Sequence, residues 1–263
     1  MNRKIGLATA LSFSVMALSA CNAVEPTEET VIDIVEEETL ESASTDSLSS
    51  DIPLAYQDIL VRCAEIIEDT EDGYCEMDDS LGSLYWFADQ CLHPGVGNPR
   101  ELFCYSLTDM NEDGIDELIL ASKYPEENGS IASRAGYSIF NIYTLDGDEA
   151  VLLAESYLRS SWFINSDGLF INERSSTPAY HEIGIYSFEA DSTALTEEYH
   201  VYNSYSEDRS QVELYEAVDG GSAELINVFD DPNSDDLWAV FGEVRSNYTA
   251  DLYSIELVPI NIG

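Results

Sequence analysis

Residues 101–123 read ELFCYSLTDMNEDGIDELILASK, and this stretch decides the fold. An apolar run over 102–107 comes before an acidic segment, and a second apolar run over 118–121 follows it. Short apolar runs that are bounded by turn-forming residues are typical of buried β-strands. The stretch therefore predicts two strands joined by an acidic loop, and the β-rich part of the chain begins here.

The strand pattern continues after this hairpin. Tight Asp-Gly turns separate several of the apolar runs, and such turns are a strong local signal for a β-hairpin. Three of them stand at Asp146-Gly147, Asp167-Gly168 and Asp219-Gly220-Gly221. The sequence predicts an antiparallel meander whose further strands cover 137–144, 150–157, 160–165, 169–174, 181–189 and 196–203.

Helical periodicity appears at both ends of the meander. Apolar residues recur at helical spacing over 52–69 and over 80–92, and again over 235–248. A last strand is predicted over 252–260. The expected fold class is α+β, mostly β, in a single globular domain over 52–263, which is helical over 52–100 and β-rich over 101–263.

The acidic loop has the spacing of a calcium site. Oxygen-bearing side chains stand at alternate places, on Asp109, Asn111 and Asp113, and Gly114 allows a sharp turn. Calcium takes six to eight oxygen ligands, which include carboxylates and backbone carbonyls. We therefore predict a structural Ca²⁺ site whose ligands are the side chains of Asp109, Asn111, Asp113 and Glu117 with the carbonyl of Ile115. An acidic hairpin turn without metal is the alternative.

This loop resembles the Asp-x-Asp-x-Asp-Gly-x-x-Asp loop of FG-GAP/VCBS-type repeats, with Asn111 and Glu117 in place of two aspartates. Those repeats bind calcium within a β-hairpin, whereas an EF-hand would need a bidentate acid at the position of Leu120. The order of a helix, one such loop, a meander and a final helix and strand is similar to uncharacterised lipoproteins of Gram-positive gut bacteria. That resemblance implies a calcium-stabilised domain outside the cell.

The N-terminus predicts a lipid anchor. Arg3 and Lys4 precede an apolar run over 6–18, which is shorter than the ~20 residues of a membrane-spanning helix. The following Leu-Ser-Ala-Cys resembles a lipobox, which implies that residues 1–20 are a signal peptide and that Cys21 carries the lipid. The predicted location is the extracytoplasmic face of the cell membrane, with residues 21–51 as a disordered acidic tether.

The net charge of the chain limits the classes of partner that it can bind. The chain has 52 acidic and 10 basic residues and a net charge of −42. Such a surface excludes nucleic acid as a partner, because phosphates attract basic surfaces, and favours a soluble monomer.

Once Cys21 is assigned to lipid, four cysteines remain: Cys63, Cys75, Cys91 and Cys104. An even number in an exported chain predicts two disulfides, with three pairings open. Zinc or free thiols are the alternatives.

No catalytic motif stands out. The sequence contains no His-Glu-x-x-His and no phosphate-binding glycine loop, and its histidines are scattered. We expect a non-enzymatic domain that binds an extracellular protein or glycan. The alternatives are a cell-surface hydrolase that acts on glycan or peptidoglycan, and a structural subunit of an envelope complex.

Overall fold

The computed structural model describes residues 51–71, 98–124, 130–157, 159–177, 180–190 and 192–260. The predicted signal peptide, the predicted lipid attachment site Cys21, nearly all of the predicted tether and the predicted helix over 80–92 lie outside the described residues. No helix within the described ranges is long and apolar enough to cross a membrane.

The described residues form four helices and eleven strands. The described helices are α1 (Leu54–Glu71), α2 (Pro99–Leu102), α3 (Ile131–Ala135) and α4 (Asp235–Tyr248). The strands are β1 (Phe103–Thr108), β2 (Glu117–Lys123), β3 (Tyr137–Asp146), β4 (Glu149–Glu155), β5 (Ser160–Ile164), β6 (Phe170–Thr177), β7 (Tyr180–Ser187), β8 (Thr196–Tyr205), β9 (Val212–Val218), β10 (Glu224–Phe229) and β11 (Val258–Pro259).

The strands form one antiparallel sheet in the order β10-β9-β8-β7-β6-β5-β3-β2-β1-β11. The long strand β3 has β2 on one edge and shares its other edge between β4 and β5. Because nearly every neighbour in the sheet is also a neighbour in sequence, the sheet is a meander. The α+β class with mostly β content is confirmed.

The front half of the sheet, which consists of β1–β4 and β11, is covered on both faces. Helix α1 packs on one face, where Tyr56 and Leu60 contact Leu118 and Leu120. The other face lies under an extended segment over 252–257. Both faces of β2 are therefore apolar, and all its residues except the last are buried. The acidic loop is thus held at the end of a fully enclosed strand.

The rear half of the sheet, which consists of β6–β10, is covered by a helix on one face. Leu237, Phe241 and Val244 of α4 pack there against Ile183 and Val201. Asp235 and Asp236 lie in the first turn of α4, where they interact favourably with the helix dipole. The opposite face of β7–β9 carries half-buried aromatic and charged side chains.

Three predictions about the meander need correction. Strands β9 and β10 were not predicted, although the turn between them was; Asp219 and Gly220 both have positive φ, as a type I′ hairpin turn requires. Of the strand predicted over 252–260, only Val258–Pro259 forms a strand, and Leu252 makes an isolated bridge to Asn165. Its alternating apolar residues pack flat against the sheet face, so they give the period of a strand without its ladder.

The disulfide prediction is tested at one pairing. Cys63 lies in the core between α1 and the sheet, on the face that Phe103 and Tyr105 share. Cys104 stands between those two residues on β1 and points to the other face. The structure has no disulfide between Cys63 and Cys104. The other two pairings use Cys75 and Cys91, which lie outside the described residues, and they stay predictions.

Candidate metal loop and arginine cleft

The acidic loop closes the hairpin between β1 and β2. Thr108 and Glu117 form the last pair of the ladder, and the residues between them make the loop. Gly114 has φ +89° and Glu112 has φ +61°, so the backbone turns twice through the left-handed region. These turns gather the oxygen-bearing side chains of the predicted site at one end of the hairpin.

Three of the predicted ligands contact one another through the loop. The Asp109 carboxylate accepts hydrogen bonds from the backbone N–H groups of Asp113 (3.2 Å) and Gly114 (2.9 Å). Asp113 Oδ1 accepts a bond from the N–H of Ile115 at 2.8 Å. Asn111 Nδ2 donates to Asp113 Oδ2 at 3.0 Å. The structure therefore places the side chains of Asp109, Asn111 and Asp113 within one hydrogen-bonded loop.

Glu117 forms the base of the loop and is fully buried. Its Oε2 atom accepts a hydrogen bond from the N–H of Met110 (2.8 Å), and its Oε1 atom accepts one from Thr144 Oγ1 (3.0 Å). Burial raises the pKa of Glu117 to about 7; the two hydrogen bonds oppose this rise, and the charges of Asp113 and Asp109 add to it. No ion pair joins Glu117 to a basic side chain of the described residues.

The loop is fixed from two sides. The hydroxyl of Tyr56 on α1 lies 3.1 Å from the carbonyl oxygen of Asp116 and 3.2 Å from that of Tyr143. Asn111 Nδ2 also donates to the carbonyl of Glu189, after the end of β7, at 3.1 Å. The loop is therefore tied to both halves of the sheet.

The donor set suits a hard cation. In the described residues, no group of three or more His, Cys, Asp or Glu side chains has the arrangement of a metal site, because the loop carboxylates turn toward backbone N–H groups. An ionised carboxylate nevertheless has about four acceptor positions on its two oxygens. Asp109 and Asp113 can therefore ligate calcium and keep these bonds, and the residues present fit that ion.

A second feature was not predicted. A cavity of about 600 Å³ lies between α3, the ends of α4 and β7, and the strands β5 and β6. We call it the arginine cleft, because four arginines line it together with an acid and an imidazole: Arg134, Arg159, Arg174, Arg245, Glu173 and His181. Glu173 is the one carboxylate among its described lining residues.

Glu173 organises one wall of the cleft. Arg245 at the end of α4 pairs with it through two nitrogens, one at 3.1 Å, and His181 Nε2 lies 3.2 Å from its Oε1 atom without the alignment of a hydrogen bond. Burial would raise the pKa of Glu173, but the neighbouring His181 and Arg245 hold it below its ordinary value. This wall is therefore an ionised acid beneath a guanidinium.

Arg134 and Arg159 lie at the rim of the cleft, and Arg174 lines it from β6. Arg134 donates to the carbonyl oxygen (2.9 Å) and to the hydroxyl (2.8 Å) of Thr249, so it ties α3 to the end of α4. Arg159 is exposed, has φ +65°, and makes no side-chain hydrogen bond or ion pair within the described part of the chain. A left-handed backbone is costly for a residue other than glycine and recurs at functional sites.

The open face of the rear half carries a polar and aromatic row. Arg174, Glu182, Tyr202 and Tyr215 are successive ladder partners across β6–β9. The rings of Tyr202 and Tyr215 stack with centroids 5.2 Å apart. Burial opposes the ionisation of Glu182, but the neighbouring His200, Tyr180 and Arg174 lower its pKa to about 2.

A smaller cavity of about 340 Å³ adjoins this row. Glu155 and Glu182 both line it, and so do Trp162 and Tyr186, whose rings lie 5.3 Å apart. Burial raises the pKa of Glu155, so the two carboxyl groups differ in their tendency to ionise.

Comparison of the chain with models of known protein families, with curated proteins and with solved structures found no match.

The acidic loop could be predicted because its residues are contiguous. The arginine cleft could not, because its side chains come from five separate elements. The one signal in the sequence was the scarcity of basic residues, because each arginine in so acidic a chain is a candidate for a specific role.

Proposed function

We propose that this protein is a lipid-anchored extracytoplasmic domain that calcium stabilises and that binds an extracellular glycan or protein. Calcium is held by the side chains of Asp109, Asn111, Asp113 and Glu117 and by the carbonyl of Ile115. Its chemistry is structural, because a bound cation neutralises the carboxylates that the hairpin brings together. The anchor is the lipid on Cys21.

The burial of Glu117 carries the calcium proposal. A fully buried carboxylate is costly unless it is paired with a positive charge. Glu117 has two hydrogen-bond donors and no basic partner in the described residues, and two more carboxylates lie in the same loop. A calcium ion supplies the missing positive charge. An ordinary acidic turn would leave its carboxylates in solvent, where they need no cation.

The location suits such a site. A structural calcium site of moderate affinity fills where calcium is plentiful, and extracellular modules bind it with dissociation constants of about 10⁻⁴–10⁻³ M. The sheet then presents two surfaces with ligand-binding chemistry, which are the arginine cleft and the open aromatic face of the rear half. These surfaces favour the binding function over a purely structural subunit of an envelope complex.

Thermal unfolding of the full chain in calcium and in chelator tests the proposal. A ligand that binds only the folded state stabilises it by about 2.7 kcal/mol at 100 times its dissociation constant. We expect a higher melting temperature in calcium than in magnesium at matched ionic strength. The double variant Asp109→Ala, Asp113→Ala should lose this difference.

Asp208→Ala is the matched control. Asp208 lies in the hairpin loop between β8 and β9, where its carboxylate accepts bonds from Ser206 and Ser210 much as Asp109 does in its own loop. This variant should keep the full calcium effect. Equal melting of the wild type in calcium and chelator, or an equal loss in both variants, contradicts the calcium proposal.

A glycoside hydrolase is a second candidate that one observation favours. Retaining and inverting glycosidases use two carboxyl groups, one protonated and one ionised. The raised pKa of Glu155 and the lowered pKa of Glu182 within one cavity match these two roles. The arginine cleft offers no such pair, because Glu173 is its one carboxylate among the described lining residues.

Hydrolysis of a panel of aryl glycosides separates the two functions. If the hydrolase is correct, Glu155→Gln and Glu182→Gln should each abolish turnover of a substrate that the wild type cleaves, and Glu213→Gln on the same sheet face should not. If the wild type binds glycans but cleaves none of the panel, the binding function stands and the hydrolase fails.

A further inference from the structure

We propose that the arginine cleft binds the oxyanion of a small hydroxyl-bearing ligand, a carboxylate or a phosphate, as an acidic sugar unit would present it. This inference rests on the proposed binding function and names the ligand chemistry of one of its two surfaces. The oxyanion lies between Arg159 and Arg245, and the hydroxyl groups of the ligand meet the serines of the cleft.

Charge placement is the first argument. The chain has only 10 basic residues, and two of them are Arg3 and Lys4 in the predicted signal peptide. Four of the others line this one cavity, against a single carboxylate in its described lining, and one of the four, Arg174, is paired with Glu182. The net charge of −42 would repel an anion from most of the surface. A local positive cleft is therefore where an anion can dwell.

The donors that remain after internal pairing are the second argument. A guanidinium has five N–H donors. Arg245 uses two of its nitrogens to bond Glu173, and Arg134 uses two of its nitrogens to bond Thr249. Each guanidinium therefore has further N–H groups that can donate to a ligand. The Arg159 side chain makes no hydrogen bond to any described residue, and it lies at the rim of the cleft. Arginine is the side chain that best matches a carboxylate or phosphate with paired hydrogen bonds.

The way in which the cleft is braced is the third argument. Glu173 fixes Arg245 and faces His181, whose side chain is 9% exposed. Arg134 is held by its two bonds to Thr249. Two guanidinium groups are thus held in place by partners behind them, which lowers the entropy lost on binding. Such bracing is what a binding site requires and what a solvated surface arginine lacks.

Size and lining select the ligand class. A volume of about 600 Å³ is typical of a small-molecule site. The lining includes Ser138, Ser161 and Ser175, whose hydroxyls can both donate and accept, beside the apolar Ile131 and Phe163. This mixture suits a sugar ring, which has hydroxyl groups at its edge and C–H groups on its faces. An acidic sugar therefore fits better than a free inorganic ion.

Calorimetric titration of the full chain with glucuronate, glucose 6-phosphate and glucose at fixed ionic strength tests the inference. We expect at least one of the two anionic probes to bind and glucose to bind at least ten times more weakly. The tighter of the two anionic probes tells whether the oxyanion is a carboxylate or a phosphate. Arg159→Gln should weaken the better probe by about tenfold or more, since a hydrogen bond to a charged group is worth about 1.5–3 kcal/mol.

Arg209→Gln is the matched control, because Arg209 is also exposed and also has a positive φ, at 58°, but lies in the loop between β8 and β9. It should bind the probe like the wild type, and Arg159→Lys should recover part of the affinity. The inference fails if neither anion binds, if glucose binds equally well, or if both glutamine variants weaken binding alike.

Failure of this inference is distinguishable from failure of the proposed function. A glycan array probed with the wild type and with Arg159→Gln reports each one. Glycans that bind both proteins equally would retain the binding function and remove the cleft from it. An array and a set of extracellular proteins without any bound member would overturn the binding function itself.

Discussion

The two halves of the sheet differ in how completely their faces are covered. The front half is enclosed by α1 on one face and by residues 252–257 on the other, and β2 in its centre is buried on both faces. The rear half has α4 on one face and half-buried tyrosines on the other. Enclosure gives rigidity, and the acidic loop is attached to the enclosed half. An open face gives access, and the smaller cavity lies beside it, whereas the arginine cleft lies at the border of the two halves.

One sheet can therefore keep the residues that stabilise the fold apart from the residues that could bind a ligand. A carboxylate such as Glu117 can be held fully buried only where the surrounding packing is dense. An ion pair such as that of Arg174 with Glu182 can stay in contact with solvent only where one face of the sheet is open. The following predictions either break this separation or measure it.

The largest effect is expected in the enclosed core. Leu120→Ala removes a fully buried side chain from the cluster beneath α1 and should cost about 2–5 kcal/mol of unfolding free energy. Leu225→Ala on the edge strand β10, where the leucine is 51% exposed, should cost no more than about 0.5 kcal/mol. Urea denaturation of both variants measures the contrast, and equal losses would contradict the division into halves.

Glu173→Gln should move stability and binding in opposite directions. It leaves Arg245 and His181 without their acidic partner, so the protein should lose about 1–3 kcal/mol of stability. It also removes the one carboxylate of the described cleft lining, while the amide oxygen of the glutamine can still accept a hydrogen bond that holds Arg245 in place, so the better oxyanion probe should bind a few times more tightly. Denaturation and calorimetry on the same variant test this split. A variant that loses affinity as well as stability would contradict the charge argument.

Much of the fold could be predicted from sequence, because a meander joins neighbours in the chain. Eight strands, α1 and α4 follow from apolar periodicity and from Asp-Gly turns. Strand β9 was missed because Glu213 and Glu216 interrupt its apolar alternation, and β10 because its apolar side chains are mostly exposed at the sheet edge. The order of the strands in the sheet largely follows their order in the chain.

The candidate sites differ in the same way. The acidic loop is contiguous, so its spacing predicts which side chains converge. The arginine cleft joins Arg134, Arg159 and Arg245 across more than a hundred residues, and only the packing of α3 and α4 against the sheet brings them together. No local pattern records that packing. The burial of Glu117 is likewise a tertiary fact, set by the enclosure of β2.

Acid should weaken the ion network on the open face. The pKa of Glu182 is about 2 in the folded protein against an ordinary value of 4.5, so its contribution to stability is complete above pH 4.5 and is lost as the pH falls toward 2. The lowered pKa of Glu173 acts in the same direction. The stability difference between the wild type and Glu182→Gln should therefore shrink between pH 5 and pH 2.5, by up to about 1.4 kcal/mol for each unit of pKa shift.

Urea unfolding at half-unit steps of pH measures this difference, and the subtraction cancels the titration of the many surface carboxylates. Glu198→Gln, on β8 beside Ser187, serves as the control. A difference between the wild type and Glu182→Gln that stays constant with pH would contradict the assigned network.

The smallest effects come from two glycines at which an added methyl group would meet open space. Gly114 in the acidic loop has φ +89°, so Gly114→Ala should cost about 1 kcal/mol in chelator. Gly242 lies within α4, so Gly242→Ala should gain about 0.5–1 kcal/mol from helix propensity. Opposite signs in chemical denaturation support the assigned backbone conformations, and equal signs contradict them.

Direct calcium binding tests the central claim. Calorimetry of the full chain at fixed ionic strength should give one calcium ion per chain that magnesium in equal concentration does not displace. Asp109→Asn with Asp113→Asn should remove that ion, and Asp208→Asn should retain it. A wild type without a saturable calcium site, or a double variant that binds calcium as well as the Asp208→Asn control, would contradict the account.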